Sequence, residues 1–213
     1  MPAKADPKAQ KSFLENTLKP LIEKAKNLEI ELFFMDASHF VMGGFAGRVW
    51  SIVRRYIKTA SGRQRYNVLG ALNFVSKKIT TICNDTYITS VQVVEMLHKL
   101  SAACTIPIHI ILDNVPYQKC ALVMEAATKL GVTLEFLPTY SPNLNLIERV
   151  WKFVKSKVLN AAYFETFEVF CKNIQDCTDS LYTKSLPDMT RLVTSKFKIV
   201  DSKCVINNER LSA

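Results

Sequence analysis

Apolar residues change spacing repeatedly along this chain, and each change marks an element. Leu14, Leu18, Leu21 and Ile22 recur at helical intervals, with Pro20 starting or kinking a turn. Glu31-Leu32-Phe33-Phe34-Met35-Asp36 is a dense apolar run that ends on an acid and reads as a buried strand. Tyr66–Phe74 and Lys78–Cys83 have strand character on either side of Val75-Ser76-Lys77, a hairpin. Thr89 with Gln92 has the form of a capping box, and Val93, Met96, Leu97 and Leu100 supply the stripe of the helix it opens. Ile106–Leu112 is almost continuously apolar, as a central strand covered on both faces should be, and it ends at Asp113-Asn114. A helix over Lys119–Leu130 follows, with Val123, Ala126, Ala127 and Leu130 inward and Gly131 as its C-cap.

The stretch Leu134–Trp151 finishes one strand, breaks at Pro138 and Ser141-Pro142, and starts a helix with Leu144, Ile147, Trp151, Val154 and Val158 on one stripe. Phe167, Phe170, Ile174, Cys177 and Leu181 are in phase for a last helix near Thr166–Leu181, ahead of a weakly patterned tail. The order is strand, hairpin strands, helix, strand, helix, strand, helix: an α/β fold, a mixed sheet flanked by helices. The chain divides into residues 1–30, a basic linker and helix whose polar first ten residues read as mobile; a core over 31–160; and a C-terminal helix and tail over 161–213 that packs on the core.

With 213 residues, 48% hydrophobic, and only 6 Gly and 8 Pro, the chain can bury one sizeable core. Its net charge of +9 favours an anionic partner such as nucleic acid. Arg48, Arg54, Arg55, Lys58, Arg63 and Arg65, interleaved with Trp50 and Tyr56, suit a phosphate backbone and its bases, and equally suit a solvated loop of a basic protein. Six cysteines with no CxxC pair, and three histidines, are poor material for a zinc site. No signal peptide and no apolar run of ~20 residues is present, so the expectation is a cytoplasmic protein with reduced thiols and no membrane partner.

Glu148 sits in the first turns of its helix, at the rim of the apolar stripe. A capping box with Asn145 or an i,i+4 ion pair with Lys152 would account for it. Two further acids change the picture: Asp36 ends or interrupts the first strand, and Asp113 ends the buried one. Neighbouring strands in a mixed sheet can bring these two together, and a helix packed on that edge can add the third. Three such carboxylates repel and raise one another's pKa unless a cation neutralises them. Oxygen ligands favour Mg²⁺ or Mn²⁺, and two ions about 3.5–4 Å apart suit in-line phosphoryl transfer on DNA.

Phe34-Met35-Asp36-Ala37-Ser38-His39-Phe40, Leu112-Asp113-Asn114-Val115-Pro116-Tyr117-Gln118-Lys119-Cys120 and Pro138-Thr139-Tyr140-Ser141-Pro142-Asn143-Leu144-Asn145-Leu146-Ile147-Glu148-Arg149-Val150-Trp151 resemble the three signature blocks of DDE transposases. The similarity is to the bacterial insertion-sequence branch of the mariner-type superfamily, whose spacing matches the 34 residues between Asp113 and Glu148 (positions 114–147). It covers the chain from about Lys4 to Lys157. The resemblance implies a ribonuclease H-like fold, Asp36, Asp113 and Glu148 as a metal-binding catalytic triad, and two Mg²⁺ or Mn²⁺ ions. It also implies divalent-metal-dependent cleavage and strand transfer on double-stranded DNA, with water and then a freed 3′-hydroxyl as nucleophiles. A homodimer on DNA and a nucleoid-associated, bacterial setting go with it.

Two departures stand out. Leu146 replaces a common proline, and no helix-turn-helix precedes Asp36, so sequence recognition would come from elsewhere, for instance a separately encoded helix-turn-helix region, or be lost. Around the acids, His39 could approach the metal or the scissile phosphate or, more simply, hydrogen-bond at the strand end. Asn114 and Asn145 are candidates to orient a carboxylate or contact phosphate; Lys152 and Lys155 could track DNA or equally form the solvated face of the helix. The rival readings are a non-catalytic DNA-binding or assembly module derived from a transposase, and a general nuclease of the same fold.

Overall fold

The computed structural model describes residues 5–43, 64–160 and 162–199. Five strands form one sheet in the order β3-β2-β1-β4-β5: β1 (Glu31–Met42), β2 (Gln64–Asn73), β3 (Ile79–Asn84), β4 (Ile108–Leu112) and β5 (Val132–Phe136). β1, β2 and β3 pair antiparallel, whereas β4 and β5 run parallel to β1. The parallel part needs crossovers, and α3 (Ser90–Ala103) and α4 (Ala121–Lys129) provide them. The sheet is mixed, as the alternation of strand and helix patterns requires.

Each face of the sheet carries its own core. Phe33, Met35, Ile110 and Leu112 pack against Val93, Met96 and Leu97 of α3 and Val123 and Ala127 of α4. Leu32, Phe34, Phe40 and Ile111 face the other way, onto α2 (Lys19–Lys26), α5 (Ile147–Leu159) and α6 (Phe167–Lys184). β1 does not stop at Asp36 but runs on to Met42. Beyond Asp36 its pattern turns from continuous to alternating, with Ser38, Phe40 and Met42 buried and His39 and Val41 exposed. That is what a strand does where only one of its faces stays covered.

From Asp6 onward the N-terminal segment is more ordered than its polarity implies. Asp6 caps α1 (Pro7–Phe13) by accepting from the Lys8 and Ala9 amides at 2.9 and 3.2 Å, and Gln10 is buried. A π-helical turn over Leu14–Leu18 joins α1 to α2 just ahead of Pro20. Proline offers no N–H to the preceding turn and its ring crowds the carbonyl four residues back, so a wider turn absorbs the mismatch without ending the helix. Leu14, Leu18, Leu21 and Ile22 keep one inward stripe through it.

Other boundaries shift by a few residues. β2 begins at Gln64 rather than Tyr66, and β4 at Ile108 rather than Ile106. A 3₁₀ turn over Pro142–Leu144 takes the first part of the expected helix, so α5 starts at Ile147. The tail contains α7 (Leu186–Leu192), which buries Met189. Gly131, at φ +66°, ends α4 in the left-handed conformation that suits a residue without Cβ.

Candidate active site

Backbone register places two of the acids. Phe34 of β1 pairs with Ile111 of the parallel β4. Asp36 and Asp113 each lie two residues further on, at the same level and on the face that holds Phe34 and Ile111. β4 has ended at Leu112, and the Asn145 side chain enters where it stops: its amide donates to the Met35 carbonyl at 3.2 Å and to Asp113 Oδ1 at 3.5 Å.

Packing places the third acid. Asp36 pairs across to Gly70 on β2, and the Trp151 ring lies directly on that glycine. A Cβ at position 70 would stand 2.6 Å from Trp151 Cζ2, so only glycine lets α5 come this close to the sheet. Glu148 is three residues before Trp151, on the same side of the helix. The helix therefore crosses the middle of the sheet, over β1 and β2, rather than flanking its edge as expected.

The three carboxyls influence one another strongly. Burial, then Asp113, then Glu148 push the Asp36 carboxyl up to about 8, against the Ala37 amide and Lys155. Burial raises Asp113, opposed by the Asn145 amide. Burial and then Asp113 raise Glu148, opposed by Lys152 and Lys155. Among the described residues the Glu148 carboxylate has neither a hydrogen bond nor an ion pair. The cap of α5 is Leu146, with no side-chain bond, so the capping box with Asn145 does not form, nor does the ion pair with Lys152.

The remaining candidates divide. Asn145 is beside Asp113, and Lys155 is close enough to act on both Asp36 and Glu148, its ammonium 5.5 Å from the Phe40 ring centroid. Lys152 is exposed one turn beyond Glu148. Asn114 is exposed and lines a cavity of about 460 Å³ with Asp113, Pro138 and Tyr140. His39 is not beside Asp36. The two are three positions apart, an odd offset along a strand, which turns its ring to the opposite face, where Nδ1 meets Asn67 Oδ1 at 2.6 Å. Arg65 is exposed near the start of β2, well away from Gly70. Arg48, Arg54, Arg55, Lys58 and Arg63 lie outside the described residues.

The sequence reading missed Tyr117. Burial, then Asp36 and Asp113, push its hydroxyl up to about 12, which places it in the field of both aspartates. Its signal was its position four residues after Asp113, in the second signature block.

As the side chains stand, no three His, Cys, Asp or Glu among the described residues are gathered closely enough to hold one ion. The donor set still fits a hard divalent cation: two aspartates at one level, a glutamate above them, and a buried Asn145 Oδ1 without a partner. Burial first, and then the neighbouring carboxylates, raise Asp36 and Glu148, and a bound cation would offset both.

The chain belongs to the DDE superfamily of endonucleases, whose family model matches residues 31–171. Solved structures agree on the fold. The Mos1 strand transfer complex superimposes with a TM-score of 0.58 at 15% identity, covering 94% of this chain and 65% of that one. A Mos1 transposase paired-end complex with left transposon end gives 0.56 at 12% identity, covering 89% and 64%. The chain thus spans just under two thirds of the Mos1 chains it matches. The fold is ribonuclease H-like, as in those Mos1 structures. No curated protein matches the sequence significantly. No helix among the described residues is long and apolar enough to cross a membrane.

Proposed function

We propose that this chain is the catalytic core of a DNA transposase that cuts a DNA strand and joins the freed end to new DNA. The core is assigned to residues 31–160, preceded by a basic linker and helix over 1–30 and followed by a C-terminal helix and tail over 161–213. The observation that carries the reading is that Asp36 and Asp113 lie level on one face of the sheet with Glu148 on the helix above them, Asp113 raising the pKa of both others and Glu148 that of Asp36.

Asp36, Asp113 and Glu148 would hold two Mg²⁺ or Mn²⁺ ions. When bound, such ions polarise the phosphoryl oxygens and support both the attacking and the leaving oxygen. Asn145 fixes the Asp113 carboxylate, while Lys155 offsets the surplus negative charge and Lys152 lies within reach of a phosphodiester beside Glu148. In cleavage, water forms the new bond to phosphorus and the P–O3′ bond breaks, leaving a 3′-hydroxyl and a 5′-phosphate. In joining, that hydroxyl attacks a phosphorus in the target strand and displaces its 3′-oxygen.

The Asp113–Glu148 interval supports the bacterial insertion-sequence branch, working on DNA in the cytoplasm as a homodimer. A separately encoded helix-turn-helix region would supply end recognition.

The test is nicking of supercoiled plasmid, and joining of a pre-cut end, by purified protein with Mn²⁺ or Mg²⁺. Asp36→Asn, Asp113→Asn and Glu148→Gln should each lower both activities about a hundredfold or more, because each removes a charged group that acts in the transition state. A Glu148→Gln protein as active as the parent would sink the reading. Plasmid nicking without any joining would make the chain a general nuclease.

A further inference from the structure

The last described segment is stitched to the acid-bearing stretch by an unusual set of bonds. Arg149, next to Glu148, is half-buried and donates to three backbone carbonyls: Leu192 at 3.2 Å, Thr194 at 3.3 Å and Lys196 at 2.7 Å. Its guanidinium also lies 5.5 Å from the Phe197 ring centroid. Asn143 donates to the Lys198 carbonyl at 2.9 Å and to Gln10 Oε1 at 3.0 Å, and Gln10 donates to the Tyr140 carbonyl at 3.3 Å. Residues 192–198 therefore form a strap, fixed at one end by the residue after Glu148 and at the other by the loop before it.

Beyond Leu192, the last residue of α7, the strap has no regular structure, and its path is set by these bonds together with the burial of Val193 and the packing of Leu192 and Phe197 against the core. The fork of a guanidinium can reach three carbonyls at once, and its charge is spent on neutral acceptors. The strap also closes a cavity of about 620 Å³ whose walls include Glu148, Lys152, Lys196 and Lys198. Both strap lysines are exposed. Three ammonium groups with no ion-pair partner among the described residues thus rim a hollow that opens beside a proposed catalytic carboxylate, and carboxylates alone would repel DNA from it. Residues 192–198 and Gln10 all lie outside the span that matches the family model.

We propose that the strap is a working part of the site: Arg149 holds it so that Lys196 and Lys198 join Lys152 in seating a backbone phosphate of the DNA strand next to Glu148. Arg149 is a positioning residue and acts through the strap. The inference rests on the DNA reading above, yet it concerns binding, and binding can be measured without cleavage.

The experiment uses the full chain carrying Asp113→Asn, so that no cutting intervenes, and a short labelled duplex of arbitrary sequence in the absence of divalent metal. Affinity is followed by fluorescence anisotropy as salt rises. Lys196→Gln/Lys198→Gln should weaken binding about tenfold at low salt and reduce the slope of log K against log [salt] by about 1–2. Arg149→Gln should do the same with its lysines intact, and combining all three changes should add little, because a released strap no longer presents them. In the Asp113 parent, where DNA is cut, the loss should fall more on KM than on kcat.

Unchanged affinity and slope in the two-lysine variant overturn the proposal, as does full additivity with Arg149→Gln, which would leave the strap a structural staple. The two-lysine variant alters only exposed side chains, so it decides the matter even if Arg149→Gln fails to fold. Inorganic phosphate at matched ionic strength separates two sources of the same chemistry. Competition by free phosphate with no dependence on the strap lysines for duplex binding would assign the hollow to a small anion and overturn the DNA role. Loss of binding in the variants, together with no cleavage by the parent, would keep the strap and sink the transposase reading instead.

Discussion

The two aspartates and the glutamate reach the same place by different physics. Asp36 and Asp113 are set by hydrogen-bonded register: Phe34 faces Ile111, and two more residues along each strand bring the acids level. Sliding one past the other would require breaking the β1–β4 ladder and turning both buried faces outward. Glu148 has no such frame. It rides on α5, whose height over the sheet depends on Trp151 lying against a glycine. Two of the acids are set by the backbone, and the third is held by side-chain packing, so the third should be the easier to displace.

The largest effect expected concerns the charges that both arrangements bring together. Asp36 has its carboxyl raised from 3.8 to about 8, by burial first and then by Asp113 and Glu148. The folded state then holds a proton through a window in which the unfolded chain has released it. Its contribution to stability is present in full below pH 3.8 and is lost as pH rises toward about 8. Asp113 and Glu148 are raised as well and add in the same direction. Metal-free protein should therefore melt progressively lower from pH 5 to pH 8, by an amount on the order of a few kcal/mol. Asp36→Asn should flatten that slope and melt above the parent at pH 8. A cation at a hundredfold excess over its Kd should restore about 2.7 kcal/mol to the parent and far less to the variant. Melting curves at both pH values, with and without Mn²⁺, measure this. A parent that gains stability as pH rises would show that the three carboxyls do not repel as one set.

How much of this was legible in the sequence follows the same division. Strand identity and the two aspartates could be read from Leu32–Met35 and Ile108–Leu112, because a continuous apolar run ending in an acid implies a buried strand with a polar tip. That β1 continues through Asp36 could not, since Ser38, His39 and Phe40 alternate only after one covering layer ends. Of the two readings of His39, the hydrogen-bonding one fits its Asn67 partner, because strand parity, which a spacing of three conceals, turns the ring away from Asp36. The turn at Pro20 was expected, but not that a π turn would carry the helix through it. The strap was invisible for another reason: Arg149 bonds to backbone carbonyls, and carbonyls leave no trace in side-chain pattern.

Gly70 tests the packed half of the comparison. Gly70→Ala would place a methyl 2.6 Å from Trp151 Cζ2 and 3.1 Å from Ile147 Cδ1, so α5 must lift or tilt. Overpacking of this kind costs about 1–3 kcal/mol. No acid is altered, yet Glu148 moves with its helix, and a displacement on the order of 1 Å can cost roughly a hundredfold in rate. Nicking activity should therefore fall by far more than the melting temperature suggests. Full activity in a stably folded Gly70→Ala protein would mean that the height of α5 does not set the glutamate.

The smallest effect serves as the control on the other face of the sheet. Thr89 caps α3 through a capping box with Gln92, its side chain accepting from the Val91 amide at 3.3 Å. This helix packs on Met35 and Leu69 from the side away from Glu148. Thr89→Ala removes one satisfied amide at an exposed helix end and should cost about 1 kcal/mol. For a chain of this size that is a fall of about 2–4 °C in melting temperature. Because the strand register that levels Asp36 with Asp113 is fixed by the backbone ladder, softening α3 should leave the Mn²⁺-induced rise in melting temperature as it is in the parent. A cap mutant that loses the metal response would show that the covering layer, and not the ladder, holds the two aspartates level.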